Sequence, residues 1–379
     1  MWPIGLSEQT NLIIIAFVTF WVAICLLGRV LKLEDHGFEV KPFFLIYKTK
    51  RINSFLDYVS QRFRSSVKIF SNISIVLCFG MIAFITYFLI RNIFALYYVE
   101  PTGAPVFPVI PFITITHSLP YFFISVAVLI VVHELAHGIV ARREGIPVKS
   151  AGFLLIAILP GGFVEPDENG FKAAGRIKRI RVLAAGSSAN LIFGIIMMII
   201  LAFAFVSPTP TGVEIKNALP DKPADVAGLQ VGDIITSVGG KPTLGVEPFT
   251  EEMAKVAVGS PALLGIKFKN GTYTELLVAT VAASDEPPRA IVGIMVADYI
   301  ELSPLFLTIF WIQLLSINIA IFNALPIRYL DGDGIVYNLT EKYSERYAKT
   351  IRYGLTGFYL AILAMNIVLT GIRFGFPSI

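Results

Sequence analysis

His133, Glu134 and His137 spell His-Glu-Leu-Ala-His, and they end an apolar run that begins at Leu119. On a helix, positions four apart share one face. Both imidazoles can therefore reach a single Zn²⁺ at about 2.0–2.1 Å, while Glu134 addresses a metal-bound water. Three ionisable side chains so close together would each cost roughly 2.5–3.5 kcal/mol at the centre of a membrane helix, and a shared ion supplies the partner that offsets this. Arg142 marks the polar end of the run. At about 1.5 Å per residue, an ion at His133 would lie roughly 10–14 Å inside that boundary, so hydrolysis there needs a cavity open to water. A catalytic zinc site takes a third protein ligand and keeps one position for water. Of the four histidines, His36 belongs to a basic connection and His117 lies about 24 Å up the helix direction from His133, so neither is expected to serve. Asp331, in Asn323-Ala-Leu-Pro-Ile-Arg-Tyr-Leu-Asp-Gly332, is the better candidate. Pro326 and Gly332 interrupt regular helix and let the chain turn a carboxylate back toward the bundle, with Asp333 as the rival ligand.

These residues must be carried by membrane elements. The chain has 379 residues, 55% apolar and 15% charged, with mean hydropathy +0.72; soluble domains run at about 45–50% and 25%. Disorder, collagen and disulfide scaffolds are excluded. Cys25 and Cys78 both sit in apolar runs and form no framework. Apolar length predicts six transmembrane helices, over 11–27, 73–90, 119–140, 182–206, 304–322 and 351–372. The first is expected to stay as an anchor, since it is too long for a signal-peptide core and no Lys or Arg precedes it. Nine Lys and Arg lie in 29–68, eight in 141–181 and five in 326–352, against none in 1–28 and one in 91–118. By the positive-inside tendency, the three basic connections face the cytoplasm and the 207–303 connection lies outside. The net charge of +4 then serves topology and contact with anionic membrane lipids, and no nucleic-acid partner is implied.

Residues 211–297 carry charges at ordinary density and read as a soluble insert, with 212–215 as its expected edge strand. The runs 265–269 and 272–278 flank Asn270-Gly271, which predicts a β-hairpin with a two-residue type I′ turn. The stretch 151–160 is only half a crossing and ends on Gly161-Gly162, so it is expected to be re-entrant or interfacial.

The chain resembles the site-2 protease family of intramembrane zinc metalloproteases. The resemblance rests on HELAH at 133–137, on NALPIRYLDG at 323–332 against the family's NxxPxPxLDG, and on AAGSSAN at 184–190 against its AGPxxN. It also covers the order of parts and spans about residues 119–340. It implies that His133, His137 and Asp331 hold zinc, that Glu134 is the general base, and that Asn190 and Asn323 contact substrate backbone or the developing oxyanion. It further implies that 151–164 is a membrane re-entrant β-hairpin beside the active site. Ser187 departs from the family proline, and Arg328 and Asp333 depart from the second proline and second glycine. The insert resembles a PDZ domain through 227–242, AGLQVGDIITSVGGKP, and the resemblance implies peptide binding by strand addition at a sheet edge.

The expected fold is thus a mainly α polytopic membrane protein, with six transmembrane helices, a re-entrant β-hairpin and a small α+β PDZ-like insert. Four parts are expected: N-terminal helices with a basic loop over 1–118, a first catalytic half over 119–210, the PDZ-like extracytoplasmic domain over 211–297, and a second catalytic half over 298–379. The expected function is zinc-dependent endopeptidase cleavage of transmembrane protein substrates, as in regulated intramembrane proteolysis. The protein would sit in the cell membrane with its active site toward the cytoplasm. The alternative is a non-catalytic scaffold that binds peptides through the insert; a carboxylate beside the first ligand speaks against it.

Overall fold

The structure is a computed structural model that describes residues 8–111, 115, 118–205, 209–283 and 288–375, with the side chains of the first helix from residue 15 onward. His117 lies outside the described residues. The chain divides into two compact units, one of residues 1–201 and 307–379, the other of 202–306.

The larger unit is built of helices and one sheet. Helix α1 (Glu8–Val30) leads into strands β1 (Phe38–Lys41) and β2 (Phe44–Thr49), then helices α2 (Arg51–Arg62), α3 (Arg64–Tyr97) and α4 (Leu119–Arg143). Strands β3 (Val148–Ile156) and β4 (Leu159–Pro166) follow, then α5 (Glu168–Ala173) and α6 (Arg176–Ala204). Among the described residues, five helices are long and apolar enough to cross a membrane: α3, α4, α6 and, beyond the insert, α9 (Pro304–Asn323) and α11 (Glu345–Phe374). They coincide with five of the six expected spans. The first expected span is a helix too, but its described apolar stretch, Ile15–Val30, is shorter than the others.

The half-crossing at 151–160 is a β-hairpin. Strands β3 and β4 pair antiparallel from Val148 opposite Pro166 to Ile156 opposite Leu159. The sequence reading did not foresee their partners: β1 and β2 extend the hairpin into a four-stranded sheet in the order β1-β2-β3-β4, which leaves β4 at one edge. Trp21 of α1 donates from Nε1 to the Ala157 carbonyl in the hairpin turn at 3.1 Å, and Phe17 stacks on Phe43 of the β1-β2 turn. Both turns are thereby tied to the first helix. Leu56 of α2 is fully buried against α4. It can approach because position 138 is glycine, where a Cβ would come within 2.8 Å of Leu56 Cδ1.

Helix α6 is the axis of this unit. Its buried stretch is almost all small: Ala184, Ala185, Gly186, Ser187, Ser188, Asn190 and Gly194. Small side chains let backbones approach closely where lipid provides no hydrophobic drive between helices. At Gly194 a Cβ would lie 2.6 Å from Ile317 Cγ1 of α9.

The smaller unit holds strands β5 (Gly212–Ala218), β6 (Ile234–Val238), β7 (Lys241–Pro242), β8 (Ala262–Lys267), β9 (Tyr273–Val278), β10 (Val281–Ala282), β11 (Ala290–Ile291) and β12 (Ile294–Tyr299), with helices α7 (Pro223–Val226) and α8 (Val246–Ala254). Its main sheet runs β12-β5-β6-β8-β9. Val213, Ile215, Ile235, Leu264 and Ile266 form a core of its own, covered by Phe249 of α8. Two expectations are corrected here. The 212–215 strand is not an edge, because β5 pairs with β12 on one side and β6 on the other; the edge beside it is β12. The predicted hairpin is present as β8 and β9, but its turn is longer than type I′. Phe268 donates to the Thr272 carbonyl and only Gly271 takes a positive φ, +85°, the geometry of a three-residue loop closed by a left-handed glycine.

Beyond α9 the chain breaks at Ala324–Leu330, then forms α10 (Asp331–Thr340) and α11.

Candidate metal centre

Helix α4 places His133 and His137 one turn apart, and their Nε2 atoms are 3.1 Å from each other. Asp331 reaches the same point from the start of α10: its Oδ2 is 3.5 Å from His133 Nε2 and its Oδ1 3.4 Å from His137 Nε2. An ion with four tetrahedral ligands at about 2.0–2.1 Å has ligand–ligand edges of about 3.3–3.4 Å. The separation of the two imidazole nitrogens and the nearest approach of the Asp331 carboxylate to each of them, one oxygen apiece, are of that size. Among the described residues this is the one cluster of three or more His, Cys, Asp or Glu with such spacing. Space for an ion also depends on Gly186 of α6, where a Cβ would collide with His137 Nε2 and lie 2.7 Å from His133 Nε2. The residues present fit zinc by donor type, spacing and room.

The ligands are oriented from behind. His137 Nδ1 is 2.7 Å from the Val182 carbonyl, so Nδ1 carries the proton and Nε2 is left as the donor to a metal. Asn190 is fully buried with its amide nitrogen 3.3 Å from His133 Nδ1. Its Oδ1 is buried without a partner, and turning the amide over puts that acceptor on the Nδ1–H that a metal-ligating imidazole carries. Asp331 Oδ2 accepts a hydrogen bond of 2.7 Å from Ser187. Helix α6 thus contributes no ligand but touches all three.

Glu134 points toward the hairpin, where one carboxylate oxygen accepts the Val164 N–H at 2.9 Å. It shares a cavity of about 520 Å³ with His133, His137 and Asp331, which Asn323 and Tyr329 also line. The six residues singled out from sequence therefore divide. His133, Glu134, His137, Asp331 and Asn323 meet at one cavity, whereas Asn190 stands behind His133 and is absent from the cavity wall. His36 takes no part in the cluster.

The rival ligand is otherwise engaged. Asp333 is 2% exposed, and both its oxygens accept from the Arg352 guanidinium of α11, Nε to Oδ1 at 2.6 Å. Helix α11 holds the preceding turn as well. Thr356 Oγ1 accepts the Arg328 N–H at 3.1 Å, and the Arg328 guanidinium lies over the rings of Tyr329 and Tyr353. Asp333 also accepts the N–H of Tyr329, a residue held at φ +77°. At Gly332 a Cβ would collide with the Ala324 carbonyl oxygen, so only glycine lets α10 fold back tightly onto the end of α9. The sequence assigns Gly186, Ser187, Val182 and Arg352 no expected site role. A glycine inside a small-residue helical run is a legible sign of close approach, but a hydroxyl or carbonyl partner is not.

Comparison with known proteins agrees with this geometry. The profile of Peptidase family M50 matches residues 121–365, more than half of the chain. A protein of Methanocaldococcus jannaschii without assigned function is 34% identical over 224 residues, 59% of this chain and 58% of that one. A Clostridium perfringens protein named as a zinc metalloprotease is 29% identical over 40% of this chain and 51% of its own length. A membrane-bound transcription factor site-2 protease homolog of Arabidopsis thaliana is 27% identical over 32% of this chain and 25% of that one. The chain thus spans between a quarter and some three-fifths of these relatives. Among solved structures, the PDZ domain of an SdrC-like protein from Listeria innocua aligns over 22% of this chain and 92% of that one, with 24% identity and a TM-score of 0.21. By its profile match and its histidine-glutamate core, the chain belongs to Peptidase family M50.

Proposed function

We propose that this protein is a zinc-dependent intramembrane endopeptidase that hydrolyses peptide bonds of transmembrane protein substrates. The observation that carries the reading is the donor triangle of His133, His137 and Asp331 with Glu134 beside it, mounted on a helix long enough to span a bilayer. A zinc ion held there supplies Lewis acidity, which polarises a peptide carbonyl and acidifies water. Glu134 is the base that takes the proton from the attacking water and hands it to the leaving amide nitrogen. The Val164 N–H occupies one of its oxygens, which fixes the carboxylate and leaves the other free. Asn323, on the cavity wall, contacts substrate backbone; Asn190 acts on His133 instead.

A substrate helix hides its scissile carbonyl in main-chain hydrogen bonds and must unwind locally to be cut. Strand β4, at the sheet edge and packed by Val164 against Glu134, offers main-chain groups to hold such a segment extended. This reading takes α1 as a sixth crossing and the β3-β4 hairpin as re-entrant. It places the active site toward the cytoplasm and the insert outside, where a PDZ-like edge at β12 binds peptide.

The test is a pair of measurements on the purified protein, zinc content and cleavage of a reporter membrane substrate, for wild type and Glu134→Gln. The variant is expected to keep its zinc and to lose about 10²–10⁴-fold in cleavage rate. Equal cleavage by the two overturns the mechanism. Cleavage by neither, with peptide still bound by the insert, favours a non-catalytic scaffold.

A further inference from the structure

Three buried serines of the membrane helices satisfy themselves. Ser71, Ser74 and Ser125 each donate to a carbonyl three or four residues back in their own helix, the usual resort of a hydroxyl in an apolar helix. Ser187 does not. Its hydroxyl is fully buried and donates to Asp331 Oδ2 at 2.7 Å, across 144 residues of chain. A hydrogen bond from a neutral hydroxyl to a carboxylate at this distance is of the strong, charge-assisted kind. It fixes the oxygen that approaches His133, while Oδ1 approaches His137. The AGPxxN pattern has proline at this position, and proline carries no hydroxyl, so the contact belongs to this chain.

We infer that Ser187 is a positioning residue for the metal: by holding one oxygen of Asp331, it sets the direction of the third ligand and thereby the affinity of the site. The inference rests on the zinc reading above and adds a determinant that no ligand motif contains. Outer partners of metal ligands are worth about 10–100-fold in affinity, so the effect is large enough to measure as binding, without recourse to activity.

The experiment is chelator competition on the purified full chain, with Zn²⁺ alone as the probe. Ser187→Ala is expected to raise the zinc Kd by about 10–100-fold. Ser188→Ala is the control, since Ser188 is buried next door but donates to the Ser74 carbonyl; it is expected to leave the Kd unchanged. If Ser187 acts through the carboxylate, its substitution should add nothing in an Asp331→Ala background, because coupled residues are not additive. A wild-type Kd in Ser187→Ala overturns the inference, and so does an undiminished effect in the Asp331→Ala background. A wild type that takes up no zinc overturns the metal reading itself, a result distinguishable from either.

Discussion

The hydrogen atom on Gly186 stands where any other residue would put a methyl group against both imidazoles. The clash is with imidazole rings held at their other nitrogens by Val182 and Asn190, so it cannot be relieved by a flexible side chain. Gly186→Ala is therefore expected to abolish zinc uptake, while circular dichroism shows the same helix content; zinc bound at the wild-type level would refute the crowding argument. Asp331→Ala should lower zinc occupancy, measured by metal analysis after dialysis. Asp333→Ala should not act as a ligand loss, since that carboxylate is bound to Arg352. At this scale HELAH could be read from spacing alone, because i and i+4 share a face whatever surrounds them. Asp331 against Asp333 could not. Two carboxylates two residues apart look alike until one is seen to meet the histidines and the other an arginine.

Among elements, the turn between α9 and α10 delivers the third ligand, and α11 holds that turn through Arg352 and Thr356. Removing the guanidinium leaves Asp333 buried and unpaired, a change that costs about 3–5 kcal/mol where it has been measured. Arg352→Leu is expected to lower the thermal midpoint of unfolding clearly and to weaken zinc binding through the loosened turn. A midpoint unchanged from wild type would show the pair to be dispensable. The same scale holds the largest difference between sequence and structure. The stretch 151–160 reads as an interruption of the membrane pattern, yet its sheet includes β1 and β2, more than 100 residues away along the chain. Strand pairing across such a distance leaves no local trace when the strands are short and lie in a basic connection.

For the whole molecule, the division into two units has a consequence for stability. His133, Glu134, His137, Ser187 and Asp331 all belong to the larger unit, while the insert has a closed core of its own around Ile235 and Leu264. Replacing residues 211–297 by a short flexible linker is expected to leave zinc binding unchanged, by the same chelator competition. The isolated insert, in turn, should unfold cooperatively in buffer without detergent. A gradual, non-cooperative loss of structure on heating would show that its core does not suffice.

Apolar length, charge distribution and the HELAH turn were legible in one dimension because each depends on neighbours within about one helical span: lipid thickness sets the length of a crossing, and 3.6 residues per turn set the face. The third ligand, the outer partners on α6 and the sheet beneath Glu134 depend on contacts between segments 30 to 198 residues apart. Those contacts arise only when small residues let the helices approach to within hydrogen-bonding distance. Packing, not pattern, turns Asp331 toward the histidines and Asp333 away from them.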